Sequence, residues 1–116
     1  MVTNGEESGF NNEPPLNGAA TYPVMLRARG YYTGVVGKWH VNTPPSGYDY
    51  TAVLPGQGQY FDPEFIVQGV AGRSSGHTDD VITDAALGFL RDRPKNKPFC
   101  LLYQFKAPHR PWQPAP

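Results

Sequence analysis

Long apolar runs are missing from this chain of 116 residues, and so is any excess of charge. No stretch approaches the 18 consecutive apolar residues that a membrane-spanning helix needs, so none is expected. The opening Met1-Val2-Thr3-Asn4-Gly5-Glu6-Glu7 has neither a basic region nor an apolar core, and no signal peptide is expected there. Ten Lys and Arg balance ten Asp and Glu, which argues against a nucleic-acid partner or a polybasic membrane contact. A single cysteine excludes an internal disulfide framework and any cysteine-rich zinc site. Only the turn-formers are plentiful. With 13 Gly and 13 Pro, the chain stands just short of the composition at which disorder becomes the default. One small domain with long loops is the expectation.

The turn residues are unevenly placed. Residues 1–20 carry Asn4, Gly5, Gly9, Pro14, Pro15 and Gly18 without apolar periodicity, and read as a polar lead-in. Residues 41–76 are similarly rich in Pro and Gly and read as an extended loop region. Two segments look ordered. In the first, Thr21 caps a short helix with Pro23 in its first turn, and Gly30 ends it. The aromatic and β-branched run Tyr31–Val36 then suits a strand. In the second, Thr78 or Asp79 caps a helix whose Val81, Ile82, Ala85, Phe89 and Leu90 share one face. Pro94 stops it. Phe99–Tyr103 follows as a nearly continuous apolar run, expected to be a strand buried on both faces of a mostly parallel sheet. Helix–strand twice over gives an α/β layered fold, with Tyr31–Val36 and Phe99–Tyr103 in one sheet and the Val81–Leu90 helix on its face.

Chemistry in such folds collects at the carboxyl ends of the strands. After Val36 come Gly37-Lys38-Trp39-His40; after Phe105 come Lys106-Ala107-Pro108-His109-Arg110-Pro111-Trp112. Two strand ends, each offering a Lys, a His and a Trp, suit an anion: lysine brings a point charge and histidine an oriented donor or a proton. The plainer reading makes Trp39 and Trp112 core caps and leaves the charged groups solvated. Trp39 should face the core, opposite Lys38 and His40, because side chains alternate along extended backbone. His77 reads as a loop or capping residue and Asp79-Asp80 as a helix-start pair favoured by the dipole. Gly56-Gln57-Gly58 is a tight loop, too short for a dinucleotide fingerprint. Cys100, followed by Leu101-Leu102-Tyr103, is a buried strand residue. The charges from Arg91 to Lys97 form a solvated helix end.

The same residues resemble a known family. Gly30-Tyr31-Tyr32-Thr33-Gly34-Val35-Val36-Gly37-Lys38-Trp39-His40 is similar to the second signature of the formylglycine-dependent sulfatases, of the alkaline-phosphatase-like superfamily. Gly47-Tyr48-Asp49-Tyr50, Val53 to Gly58, Asp62 to Ile66, Thr83 to Leu87 and Lys97 to Arg110 resemble the subset that acts on sulfated sugars of glycosaminoglycans and mucins. The resemblance implies a part of the three-layer fold of that superfamily, with residues 21–116 forming an incomplete catalytic domain segment. It assigns Lys38 to bridging the formylglycine and the sulfate. His40 would hydrogen-bond the formylglycine hydroxyl and help release sulfate, and His109 would bind sulfate and protonate the leaving oxygen. Arg110 has two readings, a contact to a substrate carboxylate or to a second sulfate, and Lys106 is read as a supporting residue.

The resemblance further implies a sulfated carbohydrate as substrate, a calcium ion, and a periplasmic, secreted or lysosomal setting. Departures accompany it. No Cys/Ser-x-Pro-x-Arg motif, from which formylglycine is made, occurs in these 116 residues, and Val41-Asn42 replaces the usual Leu-Gly after the histidine. The formylglycine and the calcium ligands are therefore expected outside this chain, which by itself should be inactive and poorly stable. A phosphoesterase or phosphonate hydrolase of the same superfamily is the alternative enzyme; a non-catalytic anion- or carbohydrate-binding remnant is the alternative that is no enzyme.

Overall fold

The computed structural model describes residues 21–116, so the expected lead-in of residues 1–20 lies outside the described residues. Helix α1 spans Tyr22–Ala28, with Thr21 at the N-cap position, Pro23 buried in the first turn and Gly30 beyond its end at a φ of 93°. Strand β1 runs Tyr32–Trp39, three residues further than the sequence suggests. It reaches through Gly37, which adopts a φ of 110° and carries no Cβ; a Cβ there would lie 1.7 Å from the Gln104 carbonyl oxygen. Lys38 is therefore a strand residue rather than a loop residue.

The region read as one long loop holds three strands, β2 (Tyr50–Pro55), β3 (Glu64–Val67) and β4 (Val70–Arg73). Here the Gly and Pro residues mark strand ends instead of an irregular stretch. Gln68 and Gly69, both at positive φ, make the two-residue turn that lets β3 and β4 pair tightly. Helix α2 spans Thr78–Asp92 and strand β5 spans Phe99–Gln104. The cap of α2 is His77, one residue earlier than expected, and its side chain accepts from the Asp79 amide.

The sheet order is β4-β3-β2-β1-β5. Strand β1 pairs in parallel with β2 on one side and β5 on the other, so the two ordered segments are direct neighbours. Because β3 and β4 are each antiparallel to the strand before them, four of the five strands run the same way, as the mostly parallel reading requires. Strand β5 is not buried on both faces. It ends the described sheet, and Phe99 and Tyr103 are exposed; an apolar run alone does not distinguish a central strand from an edge strand.

Alternation along β1 assigns the two faces. Val36 packs with Ala52, Leu54 and Phe65 of the sheet and with Ile82 and Ala86 of α2. A Cβ on Gly34 would strike the Phe89 ring at 2.5 Å, so the ring lies flat on the strand. Thr33 points the other way, where Asp49 accepts from its amide and hydroxyl and also pairs with Arg27 of α1 at 2.9 Å. Helices on opposite faces of one sheet give the layered α/β architecture that the resemblance implies.

Candidate active site

Between β1 and β5 the register pairs Gly37 with Gln104, and the next residues of both strands make the site. Lys38 and His40, with Gln104 and Phe105, line a depression of about 250 Å³. His109 and Arg110 line a second one of about 450 Å³, together with Gln57, Tyr60 and Lys106. The sequence-predicted residues thus gather at one end of the sheet, but in two pockets rather than one, Lys38 and His40 apart from His109 and Arg110.

Lys106 lines the second of these. It is 4 % exposed, and its Nζ donates to the Gln57 carbonyl oxygen at 2.8 Å while lying 4.6 Å from the centroid of the Tyr60 ring. Burial holds its amine below the usual lysine range; the charge of Lys38 lowers it further, and Asp79 partly opposes both. A dehydrated ammonium that feels a second cation is the kind of group a nearby anion would stabilise. On the neighbouring loop the His109 amide donates to the Lys106 carbonyl, and the Tyr60 hydroxyl donates to the His109 carbonyl. The loop bearing His109 and Arg110 is thereby anchored to the same lysine and tyrosine.

His40 meets Gln57, whose Nε2 lies 3.0 Å from the imidazole Nδ1. Neither Gln57 nor Tyr60 stood out in the sequence as a site residue. The one available signal was a polar residue flanked by two glycines: Gly56 and Gly58 take φ values of 57° and 63°, a loop that turns the Gln57 backbone toward Lys106. Trp39 does face away from Lys38, because Lys38 pairs with Leu54 of the α2-side core and Trp39 with the next residue, Pro55. Its destination differs from the expected core. Trp39 lines an apolar cavity of about 410 Å³ with Val53 and Ile66, and its indole N–H donates to the Thr43 carbonyl at 2.7 Å. Trp112 is 67 % exposed and caps nothing.

His77 is buried between the rings of Tyr60 and Phe61 and caps α2, its Nε2 2.8 Å from the Gln113 carbonyl. Asp79 accepts from the Lys106 amide. Among the described residues no group of three or more His, Cys, Asp or Glu could hold a metal ion, so the residues here do not fit the calcium site implied by the resemblance. Cys100 lies on β5, its thiol pushed up by burial, which is the reverse of nucleophile activation. Among the described residues no helix is long and apolar enough to cross a membrane.

Comparison with known proteins supplies the context. A family model described as Sulfatase matches residues 1–116. An N-acetylglucosamine-6-O-sulfatase of Bacteroides thetaiotaomicron is 46% identical over 95% of this chain and 21% of its own length. The N-acetylglucosamine-6-sulfatase of Homo sapiens is 29% identical over 83% of this chain and 20% of its own. A protein solved in complex with its substrate, D-glucosamine-2-N,6-O-disulfate, superposes with a TM-score of 0.79 at 47% identity, over 82% of this chain and 20% of that one. A protein solved with neocarrahexaose gives a TM-score of 0.72 at 22% identity, over 78% of this chain and 27% of that one, a likeness of fold alone. The chain spans about a fifth of the length of the curated relatives it matches.

Proposed function

The chain belongs to the sulfatase family, and from that premise we propose that it supplies the sulfate-binding end of the sheet in an enzyme that hydrolyses a sulfate ester of a sugar, on the 6-oxygen of a glucosamine. The observation that carries this is the gathering of cations and imidazoles where β1 and β5 end, with the buried Lys106 beside His109 and Arg110 in one pocket and Lys38 beside His40 in the other. The substrate class follows the relatives: two of them are named for the 6-sulfate of N-acetylglucosamine, and a disulfated glucosamine is the substrate of the solved neighbour.

Hydrolysis of a sulfate ester moves negative charge onto the sulfate oxygens and the departing sugar oxygen. Lys38 and Lys106 offset the charge on sulfate. Fixed cations in a partly dehydrated site stabilise such charge without reorganising. His109 gives a proton to the sugar oxygen, and His40 accepts one when sulfate is set free. Arg110 stands beside His109 on the wall of the same pocket, suited to a second anionic group of the sugar. The family resemblance implies an attacking oxygen from formylglycine and a calcium ion that would polarise the sulfate; the 116 residues hold no motif for the first, and the described residues hold no cluster for the second. The phosphoryl-transfer alternative is not favoured, because the matched family and both named relatives are sulfatases.

The test is sulfate release from a 6-sulfated N-acetylglucosamine by the full-length gene product. Lys38→Ala and His109→Ala should each lower turnover by about 10²–10⁴-fold, the usual worth of a positioned proton donor or cation, with the thermal transition unmoved. Near-normal release from both variants would overturn the proposal.

A further inference from the structure

Gln57 has a feature that its loop position does not explain. Its side chain is partly buried, its Nε2 is 3.0 Å from His40 Nδ1, and its Oε1 is fully buried with no hydrogen-bond partner. The backbone of the same residue is fixed independently, since its carbonyl accepts from the buried Lys106 Nζ at 2.8 Å. To take up a proton at Nε2, a neutral imidazole must carry its own proton on Nδ1, which then faces an acceptor and not the amide nitrogen. A protonated imidazole donates from Nδ1 and needs an acceptor at that point. Half a turn of the Gln57 amide about its last side-chain bond exchanges Nε2 for Oε1. Because Oε1 has no partner to give up, the exchange keeps the number of hydrogen bonds unchanged.

We propose that Gln57 is the positioning residue for His40: its amide oxygen, turned to Nδ1, accepts from Nδ1–H in the neutral imidazole and in the imidazolium alike, so that Nε2 is the nitrogen that takes up the proton. The inference rests on the proposed function, in which His40 moves a proton. It adds that the neutral partner at Nδ1 is an amide on the loop after β2, anchored through its own carbonyl by Lys106. The charged groups that share pockets with the pair are Lys38 on β1 and Lys106, His109 and Arg110 after β5, with Asp79 of α2 bonded to the Lys106 amide; none of these changes in the variants below.

Three variants of the full-length gene product are compared, with kcat, KM and the pH profile of sulfate release, and with ¹⁵N chemical shifts of the His40 imidazole as a readout independent of turnover. Gln57→Leu should lower kcat by about 10–100-fold, the usual cost of losing a partner that orients a functional histidine, while KM stays within about twofold, since no contact to substrate is removed. Its ¹⁵N shifts should show mixed tautomers in place of one Nδ1–H form. Gln57→Glu, which folds wherever the amide fits, offers only an acceptor. It should hold the imidazolium and move the acidic limb of the profile to higher pH. His40→Ala separates the two levels of the argument. If His40→Ala turns over normally, the proposed function fails. If His40→Ala is inactive while Gln57→Leu and Gln57→Glu keep wild-type kcat, pH profile and imidazole shifts, the positioning role alone is overturned.

Discussion

The face of the sheet beneath α2 and the carboxyl ends of its strands are built by different means. Beneath α2 the core is apolar, and its residues repeat at strand and helix spacing: Val36, Ala52, Leu54 and Phe65 from the sheet, Ile82 and Ala86 from the helix. At the strand ends hardly any contact is apolar. Lys106 reaches Gln57 across 49 residues of sequence, Tyr60 reaches His109 across the same interval, and His40 reaches Gln57 across 17. The core tolerates approximate shapes because burial is non-directional. The site depends on single directional bonds between loops, so it is specified by few residues and lost by small displacements.

Gly37 stands where the two regions meet, and its substitution should have the largest effect. Any side chain would require a positive φ and would place Cβ 1.7 Å from the Gln104 carbonyl oxygen, a clash with backbone that no rotamer relieves. Gly37→Ala should cost about 4 kcal/mol or more, at the extreme end of single substitutions, and should take the Lys38 geometry with it. A thermal melt showing a near-normal transition would mean that β1 and β5 separate easily there. Phe89→Ala strikes the core alone. The ring lies on Gly34, stacks on Tyr32 at a centroid distance of 5.2 Å and is almost fully buried. Its loss should cost about 3–5 kcal/mol while leaving kcat/KM unchanged below the melting temperature. A drop in kcat/KM matching the one expected of Lys38→Ala would show that core and site are not separable.

What was legible in the sequence follows the same division. Apolar spacing located α2 and β5, and it placed β1 beside β5, because those signals are repeated and local. It did not find β2, β3 and β4, where Pro55, Gly56, Gln68 and Gly69 punctuate short strands so closely that the whole stretch resembles loop. It overstated the burial of β5, since apolar composition does not reveal whether a strand has a neighbour on its far side. At the strand ends, Lys38, His40, His109 and Arg110 were singled out by their positions after strands and by the family resemblance, and they line the two pockets there. Gln57 and Tyr60 were not, because their importance lies in contacts with residues distant in sequence. Lys106 was recognised only as a support; its burial, on which the electrostatic argument turns, depends on the 57–60 loop folding over it.

That burial makes the site's affinity for anions depend on pH in a definite direction. Lys106 is held below the ordinary lysine range, first by burial and then by Lys38. Only its charged form attracts an anion. Sulfate binding should therefore be strongest where Lys106 is protonated and should weaken as pH rises through its depressed value, before free lysine would begin to lose its proton. A loss of about fivefold is expected, the worth of one partly screened charge pair. Titration calorimetry of inorganic sulfate across this range checks it. Affinity that is flat until the ordinary lysine range would show that Lys106 does not contribute its charge.

The smallest effect is expected at Cys100, on the face of β5 away from α2, where its register partner is Thr33. Its thiol is pushed up by burial, so the folded chain keeps the proton where the unfolded chain releases it. The unfolded state therefore binds fewer protons above the ordinary thiol range, and stability falls as pH rises there. Cys100→Ala removes that slope and loses one small, partly buried side chain, with a cost of about 1 kcal/mol at neutral pH. Turnover should be unchanged, because the thiol is neither activated nor part of either pocket. Melting curves of the two proteins at neutral pH and above the thiol range, with sulfate release measured alongside, separate the possibilities. A Cys100→Ala protein that melts normally but releases no sulfate would place the reaction on β5 and away from Lys38, His40 and His109.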